Sequence, residues 1–325
     1  MHLTRVRLVI LVLPLVLASS LFGQESREDL IQRETQLRAK LVDLLKSGGI
    51  EDTKAQRCLW DHAEVLFQLA EYKKSLKQYQ TLQKGQFRSL PRDSEQHVHT
   101  GLRIAECYAK LNNERKAKKA VDTIVKYCRK NYAKKERLEM LGQIAYKTHG
   151  MQLYAASSKA YKEAYDGFRE SRGPQALKTL YSALGYTACQ IELNNGDKVA
   201  KFAEETLELW EKHHPEDTGN LVLRNNLSTF YIGQGRYKEA KDVIEPVVGR
   251  LEGSDLSPDL TQLLRENYAR ALMSVGKPES ALPILEKLIE ELKRNPVRNR
   301  DRIKDLEELR DACKEAPHSE SDDSP

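Results

Sequence analysis

Apolar residues between positions 55 and 295 recur at i, i+4, i+7 and i+8, the spacing that gathers them on one face of a helix. Ala240 is followed by Ile244, Val247 and Val248, Ala281 by Leu285, Leu288 and Ile289, and Ala117 by Val121, Ile124 and Val125. Shorter stripes start at Ser75 (Tyr79, Leu82) and at Ala203 (Leu207, Trp210). Ahead of each stripe lie turn residues and a second apolar stripe. Leu227 and Tyr231 precede Gly235, Tyr268 and Leu272 precede Gly276, and Ile104 and Tyr108 precede Asn112-Asn113. Leu66 and Tyr72 precede Ser75, and Asn194 to Asp197 precede Ala203. A poorer copy reads Leu141, Gly142, Ala145, then His149-Gly150, then Ala156 and Ala160. The predicted unit is therefore helix, short turn, helix.

Taking positions 75, 117, 156, 203, 240 and 281 as anchors of the second helices, the steps are 42, 39, 47, 37 and 41 residues, a mean near 41. Six helix pairs follow. One pair cannot bury its apolar face alone, so neighbours must stack. Small anchors such as Ala117, Ala240 and Ala281 let the two helices of a pair approach closely. Pro283 falls early in its helix, where it is tolerated. Pro246 lies deeper and removes a hydrogen bond, which predicts a kink or an early end near Glu245. Residues 25–46 read as a charged amphipathic helix ended by Gly48-Gly49, and 298–314 as another carrying Ile303, Leu306 and Leu309. The expected layout is an N-terminal capping segment at 24–54, a repeat domain at 55–297, a C-terminal capping helix at 298–314, and a disordered acidic tail at 315–325.

Gly235-x-Tyr237-x-x-Ala240 resembles the turn signature of a tetratricopeptide repeat. The longer phrase from Asn225 to Ala240, Asn-Asn-Leu-x-x-x-Tyr-x-x-Gln-Gly-Arg-Tyr-x-Glu-Ala, is similar to the kinesin-light-chain type of that repeat. Ala281-Leu-Pro-Ile-Leu285 resembles the Ala-x-Pro-Leu-Tyr run of the same type and departs from it at Leu285. A step near 41 exceeds the 34 residues of the ordinary repeat, and that variant also has longer units. The resemblance covers roughly 55–295 and implies an all-α right-handed superhelix, an α-solenoid of six stacked pairs with helical caps. It also implies a non-enzymatic role: protein–protein interaction on the concave face lined by first helices, which takes a peptide or a helix.

Residues 1–23 differ from this pattern. Arg5 and Arg7 precede an apolar run from Leu8 to Leu17, and small residues follow at Ala18, Ser19, Ser20 and Gly23. That order is the layout of a secretory signal. Cleavage is expected after Ser20 or Gly23, giving an exported, periplasmic or secreted chain; a retained N-terminal anchor is the alternative. The run is shorter than the roughly 20 residues that cross a bilayer, and no membrane span is expected after cleavage. The five cysteines, Cys58, Cys107, Cys128, Cys189 and Cys313, are widely spaced without a CxxC pair, so they read as small buried residues rather than a disulfide or zinc framework.

Candidate chemistry is sparse. The sequence has no phosphate loop, HExxH, GxSxG or EF-hand spacing. His97 with His99, and His213 with His214, lack an acid or thiol at ligand spacing and read as solvated. No cofactor, metal or catalytic residue is expected. Charge is more informative: 31% of the 325 residues are charged, against about 25% on average. Residues 110–137 hold eleven Lys or Arg against Glu114, Asp122 and Glu136, a local net of +8. Lys116, Lys118, Lys119, Lys126, Arg129, Lys130, Lys134 and Lys135 form this candidate patch for an acidic protein, a polyanionic glycan or an anionic membrane surface. Nucleic acid is not expected, because the aromatic interleaving of a single-strand platform is missing. The alternative function is an exported enzyme or glycan-binding protein on a helical array, using this segment.

A groove is placed by register. Asn226 lies fourteen residues before Ala240 and Asn267 fourteen before Ala281, so both occupy one site on consecutive first helices. A ladder of amides can clamp the backbone of an extended peptide. Asn225 and Arg270 adjoin it, with Arg270 suited to a carboxylate. Arg103, fourteen before Ala117, holds the corresponding place near the basic segment, which suggests a ligand whose acidic end points towards the N-terminal half.

Overall fold

The computed structural model describes residues 25–251 and 257–316, and the expected signal at 1–23 and most of the expected tail fall outside them. The chain divides into two compact units with the boundary between Cys189 and Gln190. The N-terminal unit contains α1 (Arg27–Gly48), α2 (Thr53–Gln68), α3 (Tyr72–Ser89), α4 (Glu95–Lys110), α5 (Glu114–Asn131), α6 (Lys134–Gly150) and α7 (Tyr154–Arg172). The boundary falls inside α8 (Leu177–Glu192). The C-terminal unit continues with α9 (Gly196–His213), α10 (Thr218–Gly233), α11 (Tyr237–Ile244), α12 (Pro258–Ser274), α13 (Pro278–Lys293) and α14 (Pro296–Glu315). Every regular element among the described residues is helical. The chain is an all-α helical repeat.

The six pairs run from α2/α3 to α12/α13, and their period is written in the turns. A left-handed residue ends the first helix of each pair: Ala70, Asn112, Gln152, Asn194, Gly235 and Gly276, with φ between 55° and 79°. The amide after it reaches back five residues in every case, from Glu71 N–H to Leu66 O through Lys277 N–H to Leu272 O, at 2.8–3.0 Å. This is the Schellman closure, which satisfies carbonyls that the helix end leaves without partners. The turn residues are 42, 40, 42, 41 and 41 positions apart. Gly235 and Gly276 take the left-handed conformation without a Cβ penalty; the other four bear it, two of them as Asn.

Two expected anchors change. Five residues after each left-handed residue stand Ser75, Ala117, Ser157, Val199, Ala240 and Ala281. The third anchor is thus Ser157 rather than Ala156, and the fourth is Val199 rather than Ala203. The third turn closes at Gln152, not at Gly150, which remains inside α6. Seven residues before each turn stand Ala63, Ala105, Ala145, Thr187, Ser228 and Ala269, all fully buried. These two small positions let the helices of a pair meet. Ser75 Oγ donates to Ala63 O at 2.8 Å and Ser157 Oγ to Ala145 O at 2.6 Å, across the same twelve-residue interval.

Local chemistry fixes the ends. Asp52 accepts from Ala55 N–H to cap α2, Asn113 accepts from Lys116 N–H to cap α5, and Ser26 with Asp29 forms a capping box on α1. α11 stops at Ile244 and the chain runs on as a 3₁₀ turn, Glu245–Arg250, which is the early end expected from Pro246. Pro283 sits inside α13 without breaking it. In the N-terminal unit Leu41 of α1 joins Leu59, Tyr79, Leu82 and Ile104 in one core, and in the C-terminal unit Ile303, Leu306 and Cys313 of α14 cover Leu285, Leu288 and Ile289. All five cysteines are buried free thiols. Burial pushes Cys107 up to about 11 and Cys128 up to about 12, so both are held as thiols.

Candidate functional site

First helices bring side chains of different pairs together at matching places. In the N-terminal unit Glu64 on α2 and Glu106 on α4 are both six residues before their turns, and Arg103 is nine before. Arg103 Nε donates to Glu64 Oε1 at 2.7 Å and Nη1 donates to Glu106 Oε2 at 2.6 Å, while Nη2 also meets Glu64. The guanidinium lies over the Phe67 ring, 4.9 Å from its centroid. Tyr79 of α3 donates its hydroxyl to Glu64. Burial and this carboxylate hold the Tyr79 phenol well above its ordinary value. Burial opposes the Arg103 charge, but the Glu64 hydrogen bond together with the neighbouring Glu64 and Glu106 charges outweighs it and raises the group. The network is rigid yet reachable, since its three charged side chains keep 22–27% of their surface. Of this constellation, sequence reading supplied only Arg103; Glu64 and Glu106, one period apart, were the signal for the rest.

The asparagine ladder is located differently from expectation. Asn225 and Asn226 are completely buried, so they line no open groove. Asn267 Nδ2 donates to Asn225 Oδ1 at 3.2 Å, to Ser228 Oγ at 3.3 Å and to Thr229 Oγ1 at 2.9 Å, bracing α12 against α10. The physical reason is α10 itself. Its residues from Gly219 to Tyr231 are buried without a break, so no face is left for a ligand. Arg270 is half-buried and bound by Glu266 at 3.0 Å, whose other oxygen takes Arg302 Nε at 2.7 Å. Among the groove candidates, Arg103, Arg270 and Asn267 therefore keep partial exposure, and Asn225 and Asn226 do not.

The basic candidates lie on α5 and the start of α6. Lys116, Lys118, Lys119, Lys126, Arg129, Lys130, Lys134 and Lys135 are all exposed. Arg129 pairs with Glu163, Lys134 with Glu170 at 3.0 Å, and Lys116 sits 5.6 Å from the Tyr108 ring. Beside them, His97 is buried rather than solvated. Its Nε2 lies 3.0 Å from Pro91 O, and its ring stacks on Phe87 at 4.8 Å with Tyr127 at 5.4 Å. His99 and His213 are exposed as expected. No group of three or more His, Cys, Asp or Glu among the described residues is arranged to hold a metal ion. No helix of the described residues is long and apolar enough to cross a membrane.

No family model and no curated protein matches the sequence. Several solved structures are similar in fold. BtubC (BKLC) from P. vanneervenii is 13% identical at a TM-score of 0.49, over 72% of this chain and 96% of that one. A Podosopora anserina putative kinesin light chain with nearly identical TPR-like repeats is 13% identical at 0.47, over 61% and 97%. A tetratricopeptide repeat protein from Parabacteroides merdae is 16% identical at 0.46, over 89% and 93%. Within this chain, the Schellman turn recurs in all six units, with paired small residues in five of them and Thr187 with Val199 in the fourth. The fold is an all-α array of helix pairs, similar to the repeats of these solved structures. Its unit is lengthened to about 41 residues by the 16 to 19 residues of each helix in the first three pairs.

Proposed function

We propose that this tetratricopeptide-type chain is an exported, non-enzymatic scaffold that takes a peptide or helix of another protein on its first helices. The observation that carries the reading is the repetition of partly exposed polar side chains at matching places: Asp61, Arg103 and Gln143 nine residues before their turns, Glu64, Glu106 and Tyr146 six before. Arg103 is locked between two carboxylates and an aromatic face, so little side-chain entropy remains to be lost on binding. Gln143, at the matching place on α6, adds an exposed donor and acceptor. A partner side chain that satisfies these groups gains charge-assisted hydrogen bonds without remodelling the surface.

Affinity capture from the source organism with the full chain as bait tests this. Replacing Arg103→Glu together with Glu106→Arg should lower capture of a stoichiometric protein at least about tenfold, or about 1.4 kcal/mol, while helical circular dichroism stays intact. Undiminished capture by the folded variant would move the site elsewhere. Export is tested separately by mass spectrometry of native protein, where the reading requires an N-terminus at Leu21 or Gln24. An intact Met1 in the soluble fraction would sink it.

A further inference from the structure

The first two pairs of the N-terminal unit segregate charge between first and second helices; the third does not, with four Lys or Arg against two acids on α6 and four against three on α7. The first helices α2 and α4 are balanced, each with two Lys or Arg against two acids. The second helices are not: α3 carries five Lys or Arg and no acid, and α5 carries seven against two. The excess stands at repeated places. Lys77, Lys119 and Lys159 lie seven residues after their turns, and Lys84 and Lys126 lie fourteen after. All five are exposed, and none joins the ion pairs found among the described residues. First-helix cations are used differently, as in the Glu64–Arg103–Glu106 network. At one end of the basic face an aromatic protrudes. Phe87 keeps 54% of its surface, one turn beyond Lys84, backed by the stacked His97 and the Tyr127 ring at 5.7 Å.

We propose that this second-helix face, carried by α3 and α5, docks on an anionic lipid surface. Charge complementarity alone would admit any acidic partner, and two features choose among them. The outward side of a helix has no free backbone donors or acceptors, so an acidic peptide lying on it would leave its own main chain unmatched. Lipid headgroups are mobile point anions that need no such match. Nine of the twelve cations on α3 and α5 are lysines, whose flexible ammonium groups follow mobile anions but do not fork onto one carboxylate as arginine does. Polybasic surfaces gain about 1 kcal/mol for each Lys or Arg held near an anionic bilayer. Phe87 adds an exposed apolar side chain that can bury at the headgroup boundary. The face is separate from the first-helix network, so a scaffold held this way keeps that network free.

The test is co-sedimentation with vesicles, using the chain from Gln24 onward, which retains every described residue and omits an apolar run that would itself partition. Vesicles of phosphatidylcholine with about 30 mol % phosphatidylglycerol should bind at least about tenfold better than phosphatidylcholine alone at about 50 mM salt, and about 500 mM salt should abolish the difference. Lys77→Gln, Lys119→Gln, Lys126→Gln and Lys130→Gln combined should weaken binding at least about tenfold with unchanged circular dichroism. The same charge removed elsewhere, by Lys40→Gln, Lys46→Gln, Lys54→Gln and Lys238→Gln, should change it less than about threefold. Phe87→Ala should leave salt dependence in place and weaken binding severalfold. Equal binding to neutral vesicles, equal loss in both quadruple variants, or retention by poly-glutamate without retention by vesicles would each overturn the proposal.

Discussion

The two units use one helix–turn–helix frame in opposite ways. Residues 25–189 hold 31 Lys or Arg against 20 acids, whereas 190–325 hold 20 against 28. At the place nine residues before the turn, the N-terminal unit puts Arg103 in a partly exposed ionic network. The C-terminal unit puts Asn226 and Asn267 there, the first fully buried and the second bonded to three oxygens of α10. At this place a charged residue keeps contact with water in one unit, and an amide braces helix against helix in the other. The frame is indifferent to the choice, because its geometry rests on two small positions and a turn. What the polar residue does depends on whether its helix is buried all round. Even charge follows this rule: Arg224 of α10, buried against Asn220 Oδ1, Val243 O and Glu211, is lowered to about 10 by burial first and by Arg250 second.

The sharpest way to break the comparison is to attack the part both units share. Ala117 and Ala281 are completely buried at equivalent places in separate cores. Leucine at either overpacks a tight helix contact, with an expected loss towards about 3 kcal/mol. Calorimetry then reports whether Ala117→Leu and Ala281→Leu displace one transition or two different ones. If neither variant lowers the melting temperature, the small-residue contact is not what holds a pair.

A smaller effect separates the units. Asn267→Ala removes three donated bonds and leaves Asn225 Oδ1 without that donor in the interior, a loss of about 2 kcal/mol by denaturant unfolding. Arg103→Ala breaks an ionic network that still sees water, so the expected loss is under about 1 kcal/mol. Equal losses would erase the distinction between a bracing position and a surface one.

Much of the fold was legible in the sequence, because glycine and small residues mark the places where backbone must turn or approach. Gly235, Gly276, Asn112 and Asn194 pointed to their turns directly. The third and fourth registers differ because alanine alone does not mark the close contact: Ala156 and Ala203 stand near positions filled by Ser157 and Val199. A serine serves there because its hydroxyl can bond the facing carbonyl, as Ser157 does to Ala145. The equivalence of Arg103, Asn226 and Asn267 was also legible, since it follows from counting. Their burial was not, since it depends on what covers each helix. The available clue was Leu221, Val222, Leu223, Leu227 and Phe230 around the whole of α10, the mark of a helix with no solvent face. Glu64, which anchors the exposed network, was missed because a lone glutamate on a helix reads as solvated.

The turns give a finer comparison of about 1 kcal/mol. Three N-terminal turns place Ala70, Asn112 and Gln152 in the left-handed region, and in the C-terminal unit Asn194 does so while the other two turns use Gly235 and Gly276. A left-handed residue with a Cβ costs roughly 1–2 kcal/mol, offset in part because glycine loses more freedom on folding. Gln152→Gly should therefore stabilise by up to about 1 kcal/mol, and Gly235→Ala should destabilise by about the same. Nothing lies within 4 Å of a Cβ built at Gly235, so a loss there reports the backbone alone. Destabilisation by Gln152→Gly would mean that the glutamine side chain contributes more than its conformation costs.

The smallest expected effect is a difference in acid sensitivity. Burial lowers His97 and His149 below the ordinary histidine value near 6.5, and both belong to the N-terminal unit. Each is neutral in the fold, with His97 ringed by Phe87, Tyr127 and Pro91 O, and His149 against the Tyr154 ring. The unfolded chain takes up these protons at higher pH than the folded one. Their contribution to stability is therefore fully present above pH 6.5 and is lost as pH falls through the unfolded value towards the lower folded one. Denaturant midpoints measured from pH 7.5 down to 5.5 should decline. His97→Gln, whose amide can still donate to Pro91 O, should flatten part of that decline without abolishing folding. A decline that is the same in the variant would place the sensitivity outside this aromatic cluster. A transition assigned to the C-terminal unit that moves as much as the N-terminal one would remove the contrast in histidine burial as its cause.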